Sequence, residues 1–328
     1  MTATSRSETA GKARHFINSA GPFLGLFLVL VLFALDGDVR PYLFTGANFK
    51  IILLQTVVVA LGALGMTMII VSGGIDLSVG SVVACTSVIG AKLLVAGWTT
   101  PGAIALTVSA GALVGLINGA LIAGLRIMPF IVTLGTMGIV RGAAKWISGK
   151  QTVNNPEDAP INALMARIEP MEFFPLPAGV WITAILALVM AIVLRRTVFG
   201  RHVFAIGSNE ATARLCGVRV QWTKLLIYAG AGLFFGLAGV MQLSRLTQGD
   251  PTVAIGLELD IIAAVVIGGA SLSGGSGSIL GSMIGALIMS ILRNGTNQMG
   301  WETYSQEIII GGVIVLAVAL DKWRQTRR

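Results

Sequence analysis

Ten apolar runs follow one another along the chain, at 21–35, 49–71, 78–97, 101–124, 129–147, 178–194, 221–243, 257–270, 277–293 and 305–320. A helix needs about 20 apolar residues to cross a bilayer core of about 30 Å. Several runs are shorter than that. The pattern predicts an all-α, polytopic membrane protein of about ten spans, some of them tilted, broken or re-entrant. The first run follows a polar stretch, Met1–Ala20, and is followed by Asp36-Gly37-Asp38 without a small-residue cleavage site. It therefore reads as an uncleaved first helix, not a signal peptide core.

Two of the polar interruptions are near copies. Gly73-Gly74-Ile75-Asp76-Leu77-Ser78-Val79-Gly80-Ser81 returns as Gly268-Gly269-Ala270-Ser271-Leu272-Ser273-Gly274-Gly275-Ser276. Non-helical backbone at membrane depth needs protein or water to satisfy its N–H and C=O groups, so paired breaks suggest a pathway. A second repeat lies within the runs. Gly111–Ile122 resembles Gly277–Ile288, each with glycines at four-residue spacing, which lets helix backbones approach closely. These ladders fall on runs four and nine. An offset of five reverses direction, as in an inverted repeat. The two glycine-rich breaks precede runs three and nine, a same-direction relation, so one of the two matches is coincidental. The alternative, that the glycines serve helix contact alone, stands beside the transport reading.

Composition narrows the class. Of 328 residues, 55% are hydrophobic and 12% charged, against about 25% charged in a soluble domain. Mean hydropathy is +0.84, and no room remains for a large soluble domain. The +8 net charge lacks the aromatic-basic interleaving of single-strand binders, so no nucleic acid partner is expected. It is better explained by topology, because Lys and Arg collect in cytoplasmic loops. With the N-terminus inside, 14 of the 23 Lys and Arg fall on the inner side, among them Arg126, Arg195, Arg196, Arg201, Arg214, Arg219 and Lys224. Both termini are expected to be cytoplasmic: a tail at 1–20, a transmembrane domain at 21–320 and a tail at 321–328. Cys85 and Cys216 lie far apart, and His15 and His202 are isolated. No disulfide framework, metal site or cofactor is indicated.

Two loops are long. The outer one, about 148–177, holds Pro156, Pro160, Pro170, Pro175 and Pro177. It reads as a stiff docking surface with a short helix over Ile161–Glu169, anchored by Phe173, Phe174 and Leu176. The inner loop, 195–224, contains a compact helix signal over Glu210–Cys216. Ser208 or Asn209 caps its start, Glu210 and Arg214 complement the dipole and pair at i,i+4, and Gly217 ends it. A helix this short must pack on something. A surface helix on the membrane and a lever gripped by a partner both fit.

Ordered motifs from about Asn48 to the C-terminus resemble those of a known family. They are Leu64-Gly65-Met66-Thr67 leading into the first break, Ile117-Asn118-Gly119, Pro129–Thr136 with Arg141-Gly142, Thr197–Gly217, and Glu258–Gly269. The chain is similar to membrane permease subunits of bacterial ATP-binding-cassette importers for monosaccharides such as ribose, xylose, arabinose and galactose. The resemblance implies an all-helical fold of roughly ten spans in the inner membrane. It also implies three protein partners: a second permease copy, a cytoplasmic ATPase subunit and a periplasmic sugar-binding protein. It decides the short helix in favour of the lever: the coupling segment maps onto Gly207–Gly217, with Ser208, Asn209, Glu210, Ala211, Ala213, Arg214, Leu215 and Gly217 as its residues. No Gly-x-x-x-x-Gly-Lys-Ser/Thr occurs, so ATP hydrolysis is expected in the partner, not in this chain.

Sugars need hydrogen-bonding groups without strong charge. Asp76, Ser78, Asn118, Thr133, Thr136, Ser271 and Ser273 are the candidates for a path or gate. For each, an internal hydrogen bond or helix cap is the alternative. Asp76 is expected near a surface, a water-filled cavity or a hydrogen-bond cluster, because a charge at mid-membrane costs about 2.5–3.5 kcal/mol. Arg141 and Lys145 are expected to snorkel toward headgroups. Glu258 and Asp260 suit a helix N-terminus. The rival class is an ion-coupled secondary transporter, and non-sugar cargo such as a nucleoside or furanosyl compound is a variant of the main reading. A membrane-embedded enzyme lacks any clustered nucleophile, base or metal set.

Overall fold

The computed structural model describes residues 21–37, 39–166 and 176–326. It is helical almost throughout. The helices are α1 (Gly21–Leu35), α2 (Arg40–Leu43), α3 (Gly46–Val71), α4 (Val79–Val95), α5 (Thr100–Leu125), α6 (Pro129–Ser148) and α7 (Ala178–Arg196). After them come α8 (Val198–Ser208), α9 (Glu210–Leu215), α10 (Val220–Leu246), α11 (Leu257–Ile267), α12 (Ile279–Gln298) and α13 (Thr303–Thr326). All ten apolar runs are helices, and among the described residues six helices are long and apolar enough to cross a membrane. The chain is a polytopic all-α membrane protein. α3 is buried along nearly its whole length, whereas α7 exposes most of its side chains, including Ile185 and Leu188. α3 is therefore the centre of the bundle, and α7 lies at its periphery.

Local chemistry sets where the helices stop. Thr45 caps α3, its hydroxyl accepting from the Asn48 N–H. At the other end Gly73 takes φ +84°. Its N–H donates to Ile70 O and the Gly74 N–H to Ile69 O, both at 2.9 Å, closing the helix in a Schellman turn. α11 ends the same way, but the left-handed residue is Gly269, with Gly269 N–H on Val266 O and Ala270 N–H on Val265 O. The two glycine-rich copies are thus used one residue out of register.

The helices pair in two exchanged sets. α3 and α10 run antiparallel, with Gly65 against Ala231 and Phe235, and Gly74 against Tyr228. α5 packs antiparallel on α10, Gly111 meeting Gly232 and Gly236 while Gly119 meets Leu225. α12 packs antiparallel on α3: Thr67 Oγ1 donates to Ser282 Oγ at 2.7 Å, and Gln298 Nε2 to Asn48 Oδ1 at 2.7 Å. α4 rests on α5, α6 and α10; α11 rests on α12, α13 and α3. Replacing α3, α4, α5 and α6 by α10, α11, α12 and α13 reproduces these pairings. With α3 and α10 antiparallel, this is an inverted repeat. The glycine ladders occupy equivalent helices, although that of α12 faces α11 at Gly268 and Ala264. The break at 72–78 joins α3 to α4, while that at 268–278 joins α11 to α12, so the near-copied breaks are not equivalent. The repeat's true counterpart of 72–78 is the stretch 247–256 between α10 and α11.

One end of the bundle carries α8 and α9. The other carries a two-stranded antiparallel ribbon, β1 (Val153–Asn154) with β2 (Gln248–Gly249), registered Val153↔Gly249. Exposed Trp98, Trp146, Trp181 and Trp301 lie at helix ends near the ribbon, and exposed Trp222 lies at the α9 end, like the aromatic belts of membrane interfaces. In the long loop before α7 a 3-10 helix, Pro160–Leu164, stands where a longer helix over Ile161–Glu169 was expected. It is pinned by buried Ile161 and by the Met165 N–H on Ser244 Oγ at 2.9 Å. Phe173 and Phe174 lie outside the described residues, as do the tail 1–20, the end of the expected helix and residues 327–328. The loop 195–224 holds a helix that the pattern reading missed, α8. Thr197 caps it by accepting from the Gly200 N–H, and Gly200, Val203 and Ile206 form its buried stripe.

Candidate functional site

Five of the seven polar candidates converge. The 72–78 break folds under α5 and α6, and Asp76, Ser78, Asn118 and Thr133 are buried there with Thr136. Asp76 Oδ1 accepts from the Ser78 N–H at 2.7 Å and from Ser78 Oγ at 2.6 Å. Asn118 Nδ2, from α5, donates to Ser78 Oγ at 3.1 Å and to Asp76 Oδ2 at 3.4 Å. Thr136 Oγ1, from α6, donates to Asn118 Oδ1 at 2.7 Å. One turn earlier, Thr133 Oγ1 accepts from the Leu77 N–H at 3.2 Å and donates to Ile75 O at 3.3 Å. Of the environments expected for Asp76, the structure gives the hydrogen-bond cluster. The network ties three elements together and spends most of its polar groups on one another. It can hold the break shut, and it can open only by breaking several buried hydrogen bonds at once.

Ser271 and Ser273 sit elsewhere, in the 268–278 break. There the Ser273 N–H donates to Ser271 Oγ at 3.3 Å, and the Ser271 N–H to Ser276 O at 3.0 Å. Ser271 is buried and Ser273 exposed. This break meets the first at the α9 end, where the Gly275 N–H donates to Val71 O at 2.8 Å. The end of α8 is wedged between them. A Cβ on Gly207 would strike the Val71 carbonyl and lie 2.6 Å from Gly275 N, and one on Gly275 would lie 2.7 Å from Ser208 Oγ. Only glycine at 207 lets three backbones meet this closely.

The short helix has the anatomy read from its sequence. Asn209, not Ser208, is the cap: its Oδ1 accepts from the Thr212 N–H at 2.9 Å. Arg214 pairs with Glu210 at 3.1 Å. Gly217 takes φ +84°, and the Val218 N–H returns to Ala213 O at 3.0 Å. Ala213 is buried with Ile206 and Val220, which seats α9 on α8 and α10. Ala211 and Cys216 are exposed, and Leu215 is 89% exposed. An apolar side chain thus projects from a helix fixed by its polar cap, its ion pair and buried Ala213.

Three contacts escaped the sequence reading. Lys224 Nζ, from α10, bonds Glu210 Oε2 at 2.7 Å, and that hydrogen bond, with the Lys224 and Arg214 charges, holds the Glu210 pKa below its ordinary value. Glu258 and Asp260 both lie in the first turn of α11, as expected; Glu258 accepts from the Gly256 N–H, while Asp260 is buried and paired with Arg293 at 2.6 Å. Arg141 does not snorkel: its Nη1 donates to Pro251 O at 2.9 Å and to Val253 O at 2.7 Å. Each joins residues far apart in sequence, where spacing carries no signal. Among the described residues no group of three or more His, Cys, Asp or Glu is placed to hold a metal.

Comparison with known proteins places this geometry in context. The family model described as branched-chain amino acid transport system / permease component matches residues 48–318. The chain is similar to the ribose import permease protein of Escherichia coli (strain K12), 39% identical over 302 residues, 92% of this chain and 93% of that one. The ribose import permease protein of Bacillus subtilis (strain 168) is 39% identical over 330 residues, 97% of this chain and 98% of that one. The L-arabinose ABC transporter permease protein of Azospirillum brasilense is 36% identical over 326 residues, 97% of this chain and 91% of that one. No solved structure matches the chain significantly.

Proposed function

The chain belongs to the family of transport-system permease components, and from that premise we propose that it is the membrane subunit of an ATP-binding-cassette importer carrying a monosaccharide by alternating access. The observation that carries the mechanism is the joint at the α9 end. There a capped six-residue helix projects Leu215, and the helix before it is wedged between the two glycine-rich breaks. ATP-driven closure of a cytoplasmic ATPase subunit pulls on α9. α8 passes the pull to Val71 and Gly275, and the network of Asp76, Ser78, Asn118, Thr133 and Thr136 opens as a gate. Because these side chains bond mainly to one another, the gate reading suits them better than a sugar-selecting one. The sugar is selected largely by a periplasmic binding protein.

The same reading orients the chain. Arg126, Arg195, Arg196, Arg201, Arg214, Arg219 and Lys224 cluster at the α9 end, which supports a cytoplasmic face there. It supports cytoplasmic tails at 1–20 and 321–328 around a transmembrane domain at 21–320. A second permease copy completes the path, and exposed apolar side chains on α1, α5 and α7 face lipid.

The test is uptake by sealed vesicles. Reconstituted with its ATPase and binding protein, the chain is expected to accumulate one of D-ribose, L-arabinose, D-allose or D-fructose only with ATP. Uptake by the isolated chain on a proton or sodium gradient would overturn the reading. Uptake of leucine in place of every sugar would keep the permease and replace the cargo, as the family's description allows.

A further inference from the structure

The stretch 247–256 reads in the sequence as a plain loop, yet the fold makes it the repeat's counterpart of the 72–78 break. It leaves β2 where Gly249 lies against Ser87, Val88 and Ala91 of α4, and it reaches Ala254, whose carbonyl lies against Gly80. Those contacts are seven to eleven residues apart on α4, about 10–16 Å at about 1.5 Å per residue. The segment therefore descends roughly half of α4 as a string of turns. Its tip meets the first turn of α4, two residues beyond Ser78.

Both breaks carry the same turn. The Ser78 N–H and Oγ both donate to Asp76 Oδ1, at 2.7 and 2.6 Å; the Thr252 N–H and Oγ1 both donate to Asp250 Oδ1, at 2.7 and 2.6 Å. Both are also held by one helix. Near its start α6 holds the first break through Thr133, on Ile75 and Leu77, and through Thr136, on Asn118. Farther along, Arg141 holds the ribbon-end break by the carbonyls of Pro251 and Val253. Thr133 and Arg141 are eight residues apart, about 12 Å along the helix axis. Non-helical backbone at that depth must be given donors, and a guanidinium supplies two to neighbouring carbonyls without leaving the helix face.

We propose, resting on the alternating-access reading above, that α6 is a rod joining the two breaks and that Arg141 is the positioning residue at its ribbon end. When the first break is drawn off Thr133 and Thr136, α6 shifts and Arg141 releases Pro251 and Val253. One break cannot rearrange without the other, so the two move together. Packed elements of this kind switch between discrete arrangements and do not deform continuously.

The test uses the full chain, assembled with its ATPase and binding protein in sealed vesicles, with Cys85→Ala and Cys216→Ser and one reporter at Val253→Cys or Leu77→Cys. The readout is the rate of reaction with a membrane-impermeant maleimide. Arg141→Gln is expected to raise labelling at Val253→Cys about tenfold, as loss of hydrogen bonds from a charged donor implies, and labelling at Leu77→Cys several-fold. Arg141→Lys, which still donates, is expected to restore most of both. Thr136→Val, at the other end of α6, is expected to raise labelling at Val253→Cys, because coupling is reciprocal. Should Arg141→Gln fail to insert, the Lys and Val variants carry the test. A change at Val253→Cys with none at Leu77→Cys makes Arg141 a local latch and overturns the rod; no change at either overturns the latch too. Labelling needs neither cargo nor ATP, so failure of the wild-type complex to take up any sugar would sink the transport reading and leave this result standing.

Discussion

Asn118 is the residue on which the buried network turns. Its amide donates to Asp76 and Ser78 while its carbonyl accepts from Thr136, so it links all three. Asn118→Ala leaves buried groups without partners, and stability is expected to fall by about 1–3 kcal/mol. A lowered unfolding midpoint in detergent, with no change in insertion, is the measurement. Glu210 sets a second residue-scale expectation. Its pKa is lowered by the Lys224 hydrogen bond first, so its pairing stabilises α9 above the ordinary glutamate value of about 4.3 and is lost as pH falls through and below it. The effect is small because the carboxylate is largely solvated. A spin label on Cys216 should gain mobility as pH is taken from about 7 to well below the ordinary glutamate value of about 4.3, whereas Glu210→Gln should be mobile at both ends. Residue chemistry was the most legible layer of the sequence. Polar side chains in apolar runs are few, and each must find a partner, so naming Asp76, Ser78, Asn118, Thr133 and Thr136 needed no fold. Lys224, Arg141 and Arg293 were not legible as contacts, since each partner comes from a different element of the chain.

At the scale of elements, the α8 end meets the two breaks through backbone. Gly207 lies backbone to backbone against Val71 and Gly275, and the contact depends on the missing Cβ. Gly207→Val is expected to push α8 away from both breaks while sparing α9, whose cap and ion pairs are internal. ATP hydrolysis by the assembled complex should then persist with uptake reduced at least about tenfold, the equivalent of about 1.4 kcal/mol of lost coupling. An equal loss of both activities would mean that Gly207 serves assembly alone. The helices themselves were legible because apolar runs in a membrane protein are long and continuous. α8 was hidden because its stripe is only Gly200, Val203 and Ile206, diluted by Arg201 and His202. The glycine-rich copies misled for a related reason. A helix stop needs one left-handed glycine, and a Gly-Gly pair offers two, so like sequences were used one residue apart at Gly73 and Gly269.

For the whole molecule, the exchange of α3–α6 with α10–α13 gives the proposed lever a route to both of the proposed gates. On the proposed reading force enters at α9, beside the start of α10, and α10 is packed along α3, α4 and α5. Arg214→Glu reverses the lever's charge order and sets two carboxylates four residues apart. Assembled complexes with this change are expected to keep basal ATPase activity and lose substrate-stimulated activity and uptake; full activity in both would remove α9 from the coupling path. The exchange was only half legible in advance: the glycine ladders gave the correct offset, while the ribbon-end counterpart of the first break shares only Asp-x-Ser/Thr with it.

The central helix has a further consequence, for biogenesis. α3 leaves the ribosome early, but the helices that cover it, α10, α11 and α12, begin only at Val220. Close to 150 residues separate Val71 from Val220, roughly 7–30 s of synthesis at about 5–20 residues per second. During that interval Gly62 and Gly65, which end against α11 and α10, have only lipid or an insertion chaperone beside them. Nascent chains stalled before α10 should therefore crosslink to the insertion machinery through α3 and lose that crosslink once α12 has emerged.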